Sequence, residues 1–156
     1  MPRQRHLLGL RWGDMDAYRH VNNVELMRLL EEARVRAFGS ASGDGGDPMI
    51  TTGMVVARHE VDYVAPLDYR TAPVAVDLWV DRVGGASFRV GYEVCEPEPS
   101  AVGEPRTYAR ATSTMVTYDF AARRPRRLGD GERAHLAALH DTPPAATPPA
   151  PEGAAG

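Results

Sequence analysis

The chain of 156 residues has one cysteine, Cys95, and no lysine; all 18 of its basic residues are arginine. A single cysteine excludes an internal disulfide and any cysteine-based zinc site. Nothing in its neighbourhood marks a low-pKa thiol, so Cys95 is expected to be inert. The missing lysine excludes a catalytic lysine, and with it Schiff-base and pyridoxal chemistry. No apolar run approaches the roughly 18 residues that span a bilayer, so no transmembrane helix and no membrane partner are expected. The first nine residues include Arg3 and Arg5 but no apolar core, so no signal peptide is expected and a cytoplasmic location is the default. A formal net charge of −3 gives no reason to expect a nucleic-acid partner. What is present suits one domain: 43% of residues are hydrophobic, enough for a core in a chain of this length.

Hydrophobic periodicity divides the chain. Residues 6–12 read as a strand. Asn22 or Asn23 is a good N-cap, Glu25 places an acid in the first turn, and Leu26, Leu29, Leu30, Ala33 and Ala37 recur at helical spacing up to Gly39. Glu31, Glu32, Arg34 and Arg36 fall on other faces of that helix. Residues 39–48, rich in Gly and Ser, predict a loop. Four β segments follow: 54–64, ending at Ala65-Pro66; 73–83; 87–96, after a Gly84-Gly85 hairpin turn; and 106–120. In the last, the small residues Ala109, Ala111 and Ser113 alternate with larger ones, which lets a helix pack close. Residues 130–140 predict a short helix through Leu136 and Leu139. The tail 141–156, with five prolines, is expected to be disordered beyond a domain of residues 1–140. The order of strand, long helix and four strands predicts a two-layer α+β domain. One long helix is wrapped by a five-stranded antiparallel sheet, whose open edges and outer face invite a second copy.

The chemistry concentrates in Arg11-Trp12-Gly13-Asp14-Met15-Asp16-Ala17-Tyr18-Arg19-His20-Val21-Asn22-Asn23, between the first strand and the helix. Two carboxylates, a histidine and two amides gather just before a helix N-terminus, whose free N–H groups can polarise a carbonyl. Asp14 and Asp16 also suit a plain turn in which each bonds its own backbone.

This stretch, with Leu30-Glu31-Glu32-Ala33-Arg34 after it, resembles the acyl-CoA thioesterases of the hotdog fold. The likeness is to their 4-hydroxybenzoyl-CoA thioesterase-like branch, which includes bacterial long-chain acyl-CoA thioesterases and plant acyl-carrier-protein thioesterases. Tyr63-Val64-Ala65-Pro66 and Gly84-Gly85-Ala86-Ser87 are similar to two further family motifs, so the resemblance covers residues 6–120. It implies Asp16 as the catalytic acid, acting as general base or nucleophile, and His20 as its histidine. The plant enzymes have an asparagine where this chain has Tyr18. Val21, Asn22, Asn23, Tyr63 and Ser87 are the candidate substrate-binding residues, with the helix start as oxyanion site and an acyl pocket near Leu26, Leu30, Met54 and Tyr63. The implied reaction is hydrolysis of an acyl-CoA to free acid and CoA in fatty acid metabolism. No metal or other cofactor is implied, and the partners are acyl-CoA and further copies in a homodimer or homotetramer.

Rival readings are an enoyl-thioester hydratase, for which the acid and histidine are differently placed, and a non-catalytic thioester-binding protein. Glu31 or Glu32 is a rival acid, against an ion-paired face formed with Arg28, Arg34 or Arg36. His59 is expected to be a satisfied interior or interface histidine. Arg123, Arg124, Arg126 and Arg127 suit the phosphates of coenzyme A, as more weakly do Arg58, Arg82 and Arg89, against a solvated basic loop.

Overall fold

A computed structural model describes residues 3–39, 49–98 and 106–142. Residues 40–48 of the loop expected at 39–48, residues 99–105 between the last two β segments and the tail from 143 lie outside the described residues.

The long helix, α1 (Asn23–Phe38), follows β1 (Gln4–Leu8) and a single 3-10 turn at Trp12–Asp14. All five apolar residues of its predicted stripe, Leu26, Leu29, Leu30, Ala33 and Ala37, are buried. Asn22 is the cap: its side chain accepts from the Val24 N–H at 3.0 Å. A short α2 (Met49–Thr52) leads to β2 (Met54–Tyr63), β3 (Val74–Val83), β4 (Ser87–Cys95) and β5 (Thr107–Asp119). The two-residue β6 (Arg124–Pro125) pairs with β5, and α3 (Asp130–Ala138) closes the described chain. The strand order is β1-β3-β4-β5-β2, antiparallel throughout. This is the predicted two-layer arrangement, with α1 packed chiefly on β1 and β3.

Two expectations need correction. The first strand ends at Leu8 rather than residue 12, because Asp14 folds the chain back: its N–H reaches the Arg11 carbonyl at 2.9 Å and its carboxylate accepts the Arg11 N–H at 2.7 Å. Arg34, assigned to an outer helix face, is buried at 6% exposure.

On β5 the inward face is Ala109, Ala111, Ser113, Met115 and Thr117, all buried, so the small residues do face the core. β2 is different. It pairs only with β5, its other edge carries no strand among the described residues, and most of its residues are exposed because α1 lies over the opposite side of the sheet. On the sheet's outer face, Gly91 lies opposite Trp79. A Cβ there would sit 2.3–2.6 Å from indole atoms, while the Arg3 guanidinium covers the ring at 4.2 Å from its centroid. Gly91→Ala is therefore expected to cost about 1–3 kcal/mol by overpacking, read as a lower midpoint in urea unfolding.

Candidate active site

The segment from Asp14 to Val21 is a small pinned loop. Met15 bridges Val21, and the Asp16 N–H donates to the His20 carbonyl at 2.8 Å. Arg19 closes the turn in the left-handed region at φ 63°, which is uncommon for a residue with a Cβ. The loop is tied to the segment after β2 by the Val21 N–H, which donates to the Leu67 carbonyl at 2.7 Å, and by a His20–Asp68 bridge.

The two acids of the motif have different environments. Asp14 is completely buried and bonds the Arg11 backbone N–H, the Arg11 side chain at 3.0 Å and Arg28 at 3.0 Å. Its backbone carbonyl also accepts the Asn22 N–H at 2.8 Å, joining the turn to the helix cap. Burial pushes the Asp14 carboxyl up, but the Arg11 N–H and the two guanidinium groups outweigh that and hold it below the usual carboxylate range. Asp14 is a structural anchor. Because its folded pKa is depressed, its stabilisation is full above the ordinary Asp value of about 3.9 and is lost as pH falls through the lower folded value. Asp14→Asn keeps an acceptor for the Arg11 N–H but loses the charge. It is expected to cost about 2–3 kcal/mol at neutral pH. Urea titrations should show the gap from the wild type closing in strong acid.

Asp16 is half-buried. Its Oδ1 accepts from the Tyr18 N–H at 2.8 Å and the His20 N–H at 3.3 Å. The turn expected of a plain loop aspartate is thus present, but it occupies one oxygen only. Among the described residues, Oδ2 has no partner. His20 is half-exposed, with Nε2 3.6 Å from Asp68 Oδ1.

These groups wall a cavity of about 390 Å³. Asp16, His20, Val21 and Asn23 line one side, Leu26 the helix side, and Tyr63 to Leu67 with Tyr108 the other. Five predicted site residues therefore converge: Asp16, His20, Val21, Asn23 and Tyr63. Asn22 does not join them, since its side chain is spent on the helix cap. Ser87 is placed elsewhere within one chain: it pairs with Val116 while Tyr63 pairs with Ala109, a separation along β5 of about 23 Å at ~3.3 Å per residue. Leu30 is sealed in the core and Met54 lies at the far end of β2, so of the four expected pocket residues only Leu26 and Tyr63 line the cavity.

The helix start is narrower as an oxyanion site than expected. The N–H groups of His20, Val21 and Asn22 already donate to Asp16, Leu67 and Asp14. The Asn23 N–H, first in the helix, has no partner among the described residues. Tyr108 and Leu67 are the lining residues that sequence reasoning missed. Both reach the cavity by long-range pairing, with the Val64 and Ala65 N–H groups on the Tyr108 carbonyl at 2.8 and 3.1 Å. The tyrosine hydroxyl bonds Glu96, which also holds Arg70.

Four of the rival groups, Glu32, Arg126, Arg58 and Arg89, have structural partners. Glu32 pairs with Arg28 and Arg36 at 3.2 and 2.8 Å. Arg126 pairs with Glu132 at 2.7 Å and donates to the Gly53 carbonyl at 3.1 Å, clamping the β6 region to the sheet. Arg58 pairs with Glu60, and Arg89 with Asp81 at 2.7 Å. Chiefly through burial, the Cys95 thiol is pushed up to about 11, which leaves it protonated and inert. Among the described residues, no three His, Cys, Asp or Glu side chains are placed to hold a metal ion, and no helix is long and apolar enough to cross a membrane.

The fold and this cavity define a hotdog thioesterase. The family model of the thioesterase-like superfamily matches residues 10–155, and the chain belongs to that family. Its class of reaction is thioester hydrolysis. Among solved structures, a thioesterase from Thermus thermophilus complexed with coenzyme A and Zn is 30% identical, with a TM-score of 0.70 over 91% of this chain and 96% of that one. A predicted thioesterase from Bacillus stearothermophilus, 23% identical, gives 0.73 over 91% and 99%. A 4-hydroxybenzoyl-CoA thioesterase variant, with aspartate changed to asparagine and complexed with 4-hydroxybenzoyl-CoA, gives 0.73 at 16% identity over 87% and 99%. The last two establish the likeness of fold. No curated protein matches the chain.

Proposed function

We propose that this protein hydrolyses an acyl-CoA thioester to a free acid and CoA, with Asp16 as the reacting acid. The observation that carries the reading is the pairing, on one cavity wall, of a carboxylate with one unpartnered oxygen and a helix-start N–H with no acceptor. In the general-base course, Asp16 Oδ2 takes a proton from water while the oxygen of that water adds to the thioester carbon. The Asn23 N–H receives the developing oxyanion. Collapse expels the CoA sulfur, which carries the proton away, and leaves the acid. In the nucleophilic course, Oδ2 itself adds to the carbon and the C–S bond breaks, releasing the CoA thiolate; water then cleaves the resulting anhydride, giving the free acid and the Asp16 carboxylate, and the proton that the water gives up goes to the CoA sulfur. Either course starts from the same oxygen, which Oδ1 aims through its two turn hydrogen bonds. His20, open to solvent beside it, orients water.

The working unit is a homodimer in the cytoplasm. The open edge of β2 supports the dimer: it presents unpaired backbone groups, and Val56, Tyr63 and Val64 are exposed along it or just beyond its end. Free-thiol release from short, long and aromatic acyl-CoAs by the purified chain tests the function. Turnover that collapses in Asp16→Asn supports it. A chain inert toward every thioester overturns it.

A further inference from the structure

The lining of the reaction cavity is graded. Asn23, Tyr63 and Val64 are exposed, whereas Leu26, Leu67 and Tyr108 are at most 6% exposed. The exposed residues form its mouth and the buried ones its floor. Coenzyme A carries amides and phosphates, which stay hydrated only at the mouth, so the apolar acyl group is the part that meets the floor. Leu26 follows Asn23 by three residues of α1, about 4.5 Å at the helical rise. The floor is therefore less than one helical turn from the N–H assigned to the thioester oxygen.

Tyr108 reaches the floor because β5 carries one extra residue there. Val94 of β4 pairs with Ala109 and Cys95 with Thr107, which leaves Tyr108 as the unpaired residue of a β-bulge. Side chains alternate along a regular strand, yet Tyr108 and Ala109 are both buried, because the bulge re-aims the tyrosine.

The residue is fixed from three directions. Its carbonyl accepts the Val64 and Ala65 N–H groups. Its hydroxyl donates to Glu96, whose carboxylate also accepts from Arg70. The Arg106 guanidinium stands 5.3 Å from the ring centroid. Arg70 is tied in turn to the Pro73 carbonyl at 3.1 Å. The bond from Arg70 holds the Glu96 carboxyl below the usual range, while burial and that carboxylate push the Tyr108 phenol up. The acceptor therefore stays charged and the donor stays protonated at neutral pH. Neither Glu96 nor Arg70 lines the cavity. The tyrosine alone does, with its hydroxyl anchored behind the wall.

A ring held in this way does not swing aside for a longer substrate. We infer that Tyr108 sets the acyl limit: it closes the floor and restricts the substrate to thioesters of short acyl groups rather than long aliphatic chains. Glu96 is a positioning residue that acts through the tyrosine hydroxyl. The inference rests on the thioesterase reading of this cavity and adds to it a substrate class.

The test measures kcat/KM for acetyl-, butanoyl-, hexanoyl-, octanoyl- and dodecanoyl-CoA with the purified full chain. The wild type is expected to favour a short member and to lose about tenfold for each methylene past its limit. Tyr108→Ala adds the volume of the ring to the cavity. It is expected to raise kcat/KM by about tenfold to a hundredfold for the first chain length that the wild type rejects. Tyr108→Leu, which refills part of that volume, should move the limit by less and decides the matter if the alanine variant does not fold. Glu96→Ala keeps the ring but removes its anchor and should soften the limit, whereas Glu96→Gln keeps an acceptor and should preserve it. An unmoved limit in Glu96→Ala removes the positioning role. A wild type that hydrolyses dodecanoyl-CoA as well as butanoyl-CoA overturns the acyl limit and leaves the thioesterase reading intact. A sharp limit that neither Tyr108 variant moves overturns the role of Tyr108. Turnover of no CoA thioester at all overturns both readings.

Discussion

Asp16→Asn is expected to lower kcat for acyl-CoA hydrolysis by about 10²–10⁴-fold, the effect of removing a positioned general base or nucleophile. The substitution separates chemistry from folding unusually well. Oδ1 of Asp16 is a turn acceptor for the Tyr18 and His20 N–H groups, and an asparagine carbonyl oxygen accepts both. The Arg19 turn and the Met15–Val21 bridge are then retained. Only Oδ2 changes, from a basic oxygen to an amide that neither takes a proton nor attacks a thioester. Thermal unfolding should be nearly unchanged, while thiol release collapses with KM little altered. Full activity in the variant would shift the chemistry to Glu31, the rival acid that the structure leaves unpaired.

The contrast between Asp14 and Asp16 shows what was legible before any coordinates. Two aspartates separated by one residue look alike in sequence, and the family resemblance alone separated them. The fold supplies the physical distinction: Asp14 turns inward onto Arg11 and Arg28, while Asp16 stays at the wall of a cavity. The apolar stripe of α1 and its Asn22 cap were readable because both are local, set by spacing along one element. Tyr108 and Leu67 were not, because they enter the cavity through hydrogen bonds to distant residues. Arg34 was misassigned for a related reason. On a helical wheel it lies at the edge of the apolar stripe, where charge argues for solvent. Only the Tyr92 hydroxyl, reaching from β4, gives it a place inside. Ser87 shows the limit of carrying a motif over: its hairpin forms at the expected position, yet the sheet register sets it far from the cavity within one chain.

Asn23→Pro is expected to cost about 10²–10³-fold in kcat, the loss that follows removal of one oxyanion donor, with little effect on stability. Asn23 is the first residue of α1, a position where proline is favoured because its missing N–H has no intrahelical acceptor. The residue before a proline must be extended, and Asn22 already is, at φ −61° and ψ 141°. The Asn22 side chain caps Val24 rather than Asn23, so the cap survives as well. The substitution therefore deletes one N–H and the Asn23 side chain from the cavity wall while the helix starts where it did. Asn23→Ala is the control: it removes the side chain and keeps the N–H. Loss of kcat in the proline variant alone places the oxyanion on the backbone. Equal loss in both would give that role to the side-chain amide. Full activity in both would remove the helix start from the reaction and leave the carbonyl to a different donor.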